Sequence, residues 1–405
     1  MPKPHARSRP LRALFVSTSA IVGGAEHSLL LLLRELRQMG VDAHVAVLQD
    51  GPLRQRLAEI DVDSTVIPVP DAFRRASRYD GSRRSALGSA GLALMGVPAA
   101  WELSCLARGR DIDVMHSNGM KAHTLAGLAG RLAAVPVVWH ARDFPPPGWA
   151  GRAFLQQVRV LPSLVLANSC AVRSSLEGRG TPVMAIHNPV DLTAFHPCTP
   201  RHRIRREVGV HDDCPLVGVV AHLTPWKGHE FFLDVARDVT ACIPDARFVV
   251  AGGSVYETHG HAGYAERLRD RAEALGLSDR VTFLGPRDDV ADVLADLDVL
   301  VHCPTSAEPF GRAIAEAMAA GRPVVAARSG GIPELVDDEH TGVLVTPADR
   351  QGFAAAVVRL LRDARLRCRF GEAARARAEA MFSPDVHAAA VLDAYARLVP
   401  PERRQ

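Results

Sequence analysis

Short apolar runs, each followed by a longer stretch of helical periodicity, recur along this chain, and the pattern starts over halfway. The runs at 14–17, 43–48, 114–116, 135–140 and 164–167 read as strands, and 25–39, closed by Gly40, reads as the first connecting helix. A second series follows at 217–221, 247–251, 281–283, 299–302, 323–326 and 343–345. Strands alternating with helices imply parallel sheets with crossover helices. Between the two series, residues 188–197 carry Pro189 and Pro197, which interrupt any regular element. The expected division is a first domain over 1–195, a second over 196–380, and a last helix over 381–405 whose sequence fits either.

A chain of 405 residues suits two domains. An apolar share of 47% with 23% charged residues describes a soluble globular protein and excludes fibrous, disordered and membrane-spanning classes. The basic start runs into an apolar stretch too short for a signal peptide, so a cytoplasmic protein is expected. Seven cysteines without a CxxC pair read as reduced thiols filling cores. Residues 1–190 hold 22 Lys+Arg against 14 Asp+Glu, so the first half carries the positive charge. Arginine occurs 45 times but lysine only at Lys3, Lys121 and Lys227, which makes a lysine inside a motif informative.

The chemistry concentrates in the second half. Glu308 and Glu316 flank a helix start, where the backbone amides of Phe310, Gly311 and Arg312 favour phosphate. Glu316 suits a ribose diol and Glu308 sugar hydroxyls. An isolated pair with this spacing is more often a helix with a solvated glutamate. Here the next strand leads into Ser329-Gly330-Gly331-Ile332-Pro333-Glu334, a second amide-rich turn beside the first, at strand ends where doubly wound sheets bind ligands.

The run from Glu308 through Asp349 resembles the nucleotide-sugar site of family 4 glycosyltransferases, and a looser resemblance extends over nearly the whole chain. It implies the GT-B fold: two Rossmann-like, doubly wound parallel-sheet domains facing a central cleft. It also implies sugar transfer with retention and without a metal or other cofactor, the leaving phosphate accepting the acceptor's proton. A UDP-sugar is favoured over a GDP-sugar as donor. The acceptor is a lipid-linked saccharide, a polysaccharide end or a small natural product. Alternatives on the same fold are a nucleotide-sugar epimerase and an inactive binding module.

Lys227, in the segment Val220 to His229, resembles the family's diphosphate-binding cation, whose charge would stabilise the departing nucleotide. His222 stands where the family usually has arginine. Gly23 and Gly24 resemble the loop after the first strand that approaches the donor phosphate. The resemblance places a histidine facing the reacting sugar at His140, with His116 as competitor on the neighbouring strand. The catalytic candidates are therefore His140, Lys227 and Glu308. The donor-binding candidates are Gly23, Gly24, His222, Phe310, Gly311, Arg312 and Glu316, and no metal ligand is expected.

Asp61-Val62-Asp63 and Asp111-Ile112-Asp113 read as coincidental D-x-D strings, and Asn168 and Asn188 as turn and cap residues. The basic cluster Arg74 to Arg84, with the apolar stretch 86–101, fits either a patch resting on anionic lipid at the inner membrane face or a buried helix pair. Nucleic acid is not expected, since no aromatics interleave with the arginines. Oligomeric state is not legible.

Overall fold

The computed structural model describes residues 9–18, 22–75, 95–199, 202–253 and 263–400, and the chain divides into two compact units, 1–189 with 384–405, and 190–383. The first contains the strands Arg12–Ser17 (β1), Asp42–Val47 (β2), Asp63–Val66 (β3), Val114–Asn118 (β4), Val137–Ala141 (β5), Leu164–Ala167 (β6) and Val183–Ala185 (β7). All pair in parallel, in the order β3-β2-β1-β4-β5-β6-β7. Both faces of this sheet are covered. Along β1, Leu14 and Val16 enter one apolar cluster while Ala13 and Phe15 enter another. A strand buried on both sides needs an unbroken apolar run, which is why the sequence marks it so clearly.

The second unit holds Leu216–Val220 (β8), Arg247–Ala251 (β9), Val281–Gly285 (β10), Val299–His302 (β11), Val324–Ala327 (β12) and Gly342–Val345 (β13), again all parallel, in the order β10-β9-β8-β11-β12-β13. In each sheet the strand order reverses beside the first strand, at β1/β4 and at β8/β11. Such a reversal opens a crevice at the carboxyl ends of the strands.

The division falls after Pro189, before the expected 195, because Val190 and Phe195 are buried in the second core. Arg375 Nη1 also donates to the carbonyls of Leu192, Phe195 and Ala319 at 3.3, 2.8 and 2.7 Å. The helix Pro384–Ala396 belongs to the first unit. Its Ala388, Val391, Ala394 and Tyr395 share a cluster with Leu29, Leu32, Leu33 and Leu36 of the helix Gly24–Gln38.

The cysteines correct the sequence reading. Only Cys303 is buried, Cys214 is intermediate, and Cys105, Cys170, Cys198, Cys242 and Cys368 are exposed. The basic cluster and most of its apolar continuation fall on residues outside those described. Among the described residues no helix is long and apolar enough to cross a membrane.

Candidate functional site

In the second unit, the chain leaving β8 makes one tight turn, Pro225–Lys227, stopped by Gly228 at φ +78°. A side chain at Gly228 would place its Cβ 1.9 Å from the Cys303 carbonyl oxygen, so the turn packs directly on the chain leaving β11. That packing brings Lys227 Nζ to 2.7 Å from Glu308 Oε2, with His302 Nε2 at 3.1 Å from the same oxygen. The ammonium also lies 4.0 Å from the centre of the Trp226 ring.

The Glu308 backbone is held from the other side by the turn after β12. The Gly331 N–H donates to the Glu308 carbonyl at 2.8 Å, and Gly330 adopts φ +60° with room for no Cβ, which would lie 2.1 Å from that carbonyl oxygen. Burial by itself would raise the Glu308 carboxyl. Lys227 and the His302 hydrogen bond outweigh it and hold the group down at about 2, so it is charged near neutrality.

Three strand ends, β8, β11 and β12, thus deliver Lys227, Glu308 and the glycine turn to one place. The helix Arg312–Ala319 starts there, after Gly311 at φ +97°. Phe310 is buried and meets Phe382 edge-on at 5.8 Å, so its ring belongs to the core and only its backbone is offered to a ligand. Glu316 is buried and accepts from Arg312 Nε at 2.6 Å. His222 is exposed, yet its basicity is lowered, first by desolvation and then by the charge of Lys227. It therefore offers a hydrogen bond near neutrality and adds no second cation. His302 was not singled out by sequence reasoning. The available signal was a strand-terminal histidine six residues before Glu308.

In the first unit, Gly23 caps the helix Gly24–Gln38, its N–H accepted by the Glu26 carboxylate at 3.1 Å. Gly23 has φ −101°, so its conformation does not demand glycine. Ile21, in the same loop, lies outside the described residues.

His140, expected to face the reacting sugar, is fully buried, and its Nε2 makes no hydrogen bond. Its Nδ1 lies 3.1 Å from His116 Nε2, His387 stacks on it with ring centres 5.7 Å apart, and His116 Nδ1 meets the Tyr395 hydroxyl at 2.7 Å. The competing candidates His140 and His116 are therefore parts of one enclosed cluster, covered by the helix Pro384–Ala396, whose position the sequence left open. Burial, reinforced by the charge of Arg142, keeps both rings neutral. The D-x-D strings are occupied by arginines: Asp61 pairs with Arg37 at 3.0 Å, and Asp113 with Arg9 at 2.7 Å.

The family model for glycosyl transferases group 1 matches residues 200–377, and that for glycosyltransferase family 4 matches residues 22–194. The D-inositol 3-phosphate glycosyltransferase of Corynebacterium jeikeium is 29% identical over 91% of this chain and 90% of its own length. The protein of that name from Mycobacterium marinum is 37% identical over 44% of this chain, which spans 37% of that relative. Against the one from Mycobacterium tuberculosis the identity is 33%, over 71% of this chain and 62% of the relative. Among solved structures, Anabaena Alr3699/HepE in complex with UDP and glucose superposes with a TM-score of 0.81 at 26% identity, covering 96% of this chain and all of that one. Sucrose-phosphate synthase from Thermosynechococcus elongatus, at 19% identity and a TM-score of 0.77 over 96% of this chain, shares the fold.

Proposed function

The chain belongs to glycosyltransferase family 4, of GT-B fold, and from that premise we propose that it moves a sugar from a UDP-sugar to a hydroxyl acceptor with retention of anomeric configuration, a GDP-sugar being the less favoured donor. The observation that carries this reading is the convergence of Lys227, Glu308 and the Gly330-Gly331 turn at the carboxyl ends of β8, β11 and β12. The Anabaena protein, solved with UDP and with UDP-glucose, supports uridine as the base.

In this reading the diphosphate lies on the amides opening the helix Arg312–Ala319, beside Lys227. As the bond from the anomeric carbon to the phosphate oxygen breaks, negative charge grows on the leaving diphosphate. The Lys227 ammonium stabilises it from a fixed position, so little reorganisation accompanies the step. Glu308, kept ionised, orients Lys227 and accepts from sugar hydroxyls. Glu316 accepts from the ribose diol. The acceptor hydroxyl loses its proton to the leaving phosphate, so no carboxylate acts as base or nucleophile.

The test is a thermal-shift screen of UDP, GDP, ADP and their common sugars on the wild type and Glu316→Ala. Ligands that bind the folded state raise its melting temperature. A shift for uridine compounds, lost in the variant, is expected; no shift with any nucleotide refutes the reading. Incubation with donor alone separates transfer from epimerisation, which would yield an isomer without acceptor.

A further inference from the structure

Tyr395, His116, His140 and His387 touch in succession inside the first unit, and their hydrogen bonds fix where each proton sits. Arg142 Nη2, which can only donate, lies 3.4 Å from His140 Nδ1. His140 Nδ1 therefore accepts, and the single proton of this neutral ring is on Nε2. His116 Nε2, 3.1 Å from the same Nδ1, must then donate, which leaves His116 Nδ1 to accept from the Tyr395 hydroxyl at 2.7 Å. The reverse polarity would set an N–H of His140 against an N–H of Arg142. His387 is fixed separately. Its Nδ1 lies 2.7 Å from the His187 carbonyl oxygen, which only accepts, so Nδ1 carries the proton and Nε2 a lone pair.

Two nitrogens of this series are left over. His140 Nε2 and His387 Nε2 are buried and have no hydrogen-bond partner among the described residues. Their rings lie with centres 5.7 Å apart and planes 20° from parallel. The first is a donor without an acceptor and the second an acceptor without a donor, and buried polar groups are rarely left so. A hydroxyl answers both, because its oxygen accepts while its hydrogen is donated. A carboxylate or phosphate oxygen would face the lone pair of His387, and an ammonium would face the N–H of His140. The basicity of His387 is held at about 3, chiefly by burial, so it accepts a hydrogen bond without removing the proton. The pair lies at the carboxyl end of β5, where doubly wound sheets take ligands, and Arg142, two residues beyond His140, is only half-buried.

We propose that His140 and His387 form a binding site for one neutral hydroxyl of a sugar substrate, His140 donating through Nε2–H and His387 accepting at Nε2. Arg142, His116 and Tyr395 are positioning residues that set its polarity. The site itself stands on the geometry of the first unit; its assignment to a substrate rests on the transfer reaction proposed above. The helix Pro384–Ala396 thus supplies a ligand-contacting residue as well as a cover.

The test is nitrogen NMR of the full chain labelled at histidine, at neutral pH, with resonances assigned from His116→Gln, His140→Asn and His387→Asn. The free protein should carry the proton on Nε2 in His140 and His116 and on Nδ1 in His387. Any other combination overturns the proposal, whatever the donor. UDP-glucose, UDP-galactose and UDP-N-acetylglucosamine are then compared with UDP, and glucose and myo-inositol are added to the UDP-treated protein. Movement of both Nε2 resonances with a UDP-sugar beyond that with UDP assigns the hydroxyl to the donor, and movement with the free polyols assigns it to the acceptor. No movement with any of these overturns the site, a trapped water then serving the two nitrogens. Asparagine reaches only as far as Nδ1, so His387→Asn keeps the bond to the His187 carbonyl and loses the acceptor, whereas glutamine reaches the place of Nε2. Calorimetric affinity for the probe that moves the resonances should fall ~fivefold in His387→Asn and recover in part in His387→Gln, with UDP affinity within about twofold. A purely structural His387 would leave that affinity unchanged in any variant that folds. Failure of every UDP compound to bind, with the stated tautomers and a response to the polyols, counts instead against the donor reading.

Discussion

Replacing Glu308 by glutamine tests whether its charge is held in place by Lys227 and His302. The carboxyl is held at about 2 against an ordinary 4.5, equivalent to about 3 kcal/mol in favour of the charged form. Glutamine keeps the shape but leaves the Lys227 ammonium, which is 13% exposed, without a negative partner. Breaking a buried pair on one side costs ~3–5 kcal/mol, so about 3 is expected at neutral pH. Because the two units unfold separately in principle, the assay is hydrogen exchange read at β11, in the core of the second unit. Protection of Val299–His302 should fall roughly a hundredfold in Glu308→Gln. Adding Lys227→Met should restore more than half of it, as the unpaired charge is then gone. The pH dependence has a definite sign. A carboxyl with a lowered folded value contributes stability above 4.5 that is lost as pH falls towards 2, so wild type and variant should converge over that interval. A drop of less than about fivefold at pH 7, or parallel acid profiles, would refute the account.

Three further outcomes follow from the same geometry. Gly330→Ala sets a Cβ 2.1 Å from the Glu308 carbonyl oxygen at φ +60°, and should cost the second unit at least about 2 kcal/mol and remove any UDP-induced thermal shift. Tyr395→Phe removes the hydroxyl at 2.7 Å from His116 Nδ1 and should destabilise the first unit by about 1–2 kcal/mol, with exchange in the second unit unchanged. On acidification the first unit should open before the second. His44, His116, His123, His140 and His387 are all held neutral, chiefly by burial, with His44 at about 4 and His123 and His387 at about 3, against His222 and His229 in the second unit. The unfolded chain takes up these protons below 6.5 and the folded one does not, so stability is lost as pH falls from 6.5 towards 3. Exchange mass spectrometry at pH 4 that shows the second unit opening first would contradict this.

Most strands legible in the sequence are buried on both faces, the partly buried edge strand β10 being an exception. β11, Val299–His302, is enclosed along its whole length and reads as an unbroken apolar run. β7, only Val183–Ala185 and half-buried throughout at the edge of its sheet, left no such signature. The candidate residues of the second unit were legible because Lys227, Glu308, Gly311 and Glu316 sit in one short stretch or carry a rare residue type. The hydrogen-bonded cluster of the first unit was not, because it is assembled from the ends of four strands by single residues, Asn118, Arg142, Asn168 and Asn188, each ordinary in its local setting. The enclosure of His140 was hidden for a related reason. It comes from the helix Pro384–Ala396, an alanine-rich segment whose apolar residues point to no single face, so nothing local revealed what it would cover. The cysteines misled because their residue type favours interiors on average, while most of these lie on helix surfaces.

The route of the chain through its two units has a consequence for biosynthesis. The second unit, 190–383, is one uninterrupted segment, whereas the first is closed by residues translated after all of it. Until Val391 and Tyr395 emerge from the ribosome, Leu29, Leu32 and Leu36 lack part of their cover. The segment made first is thus completed last, with part of its apolar surface uncovered through the synthesis of the whole second unit, while the second unit is free to fold as it appears.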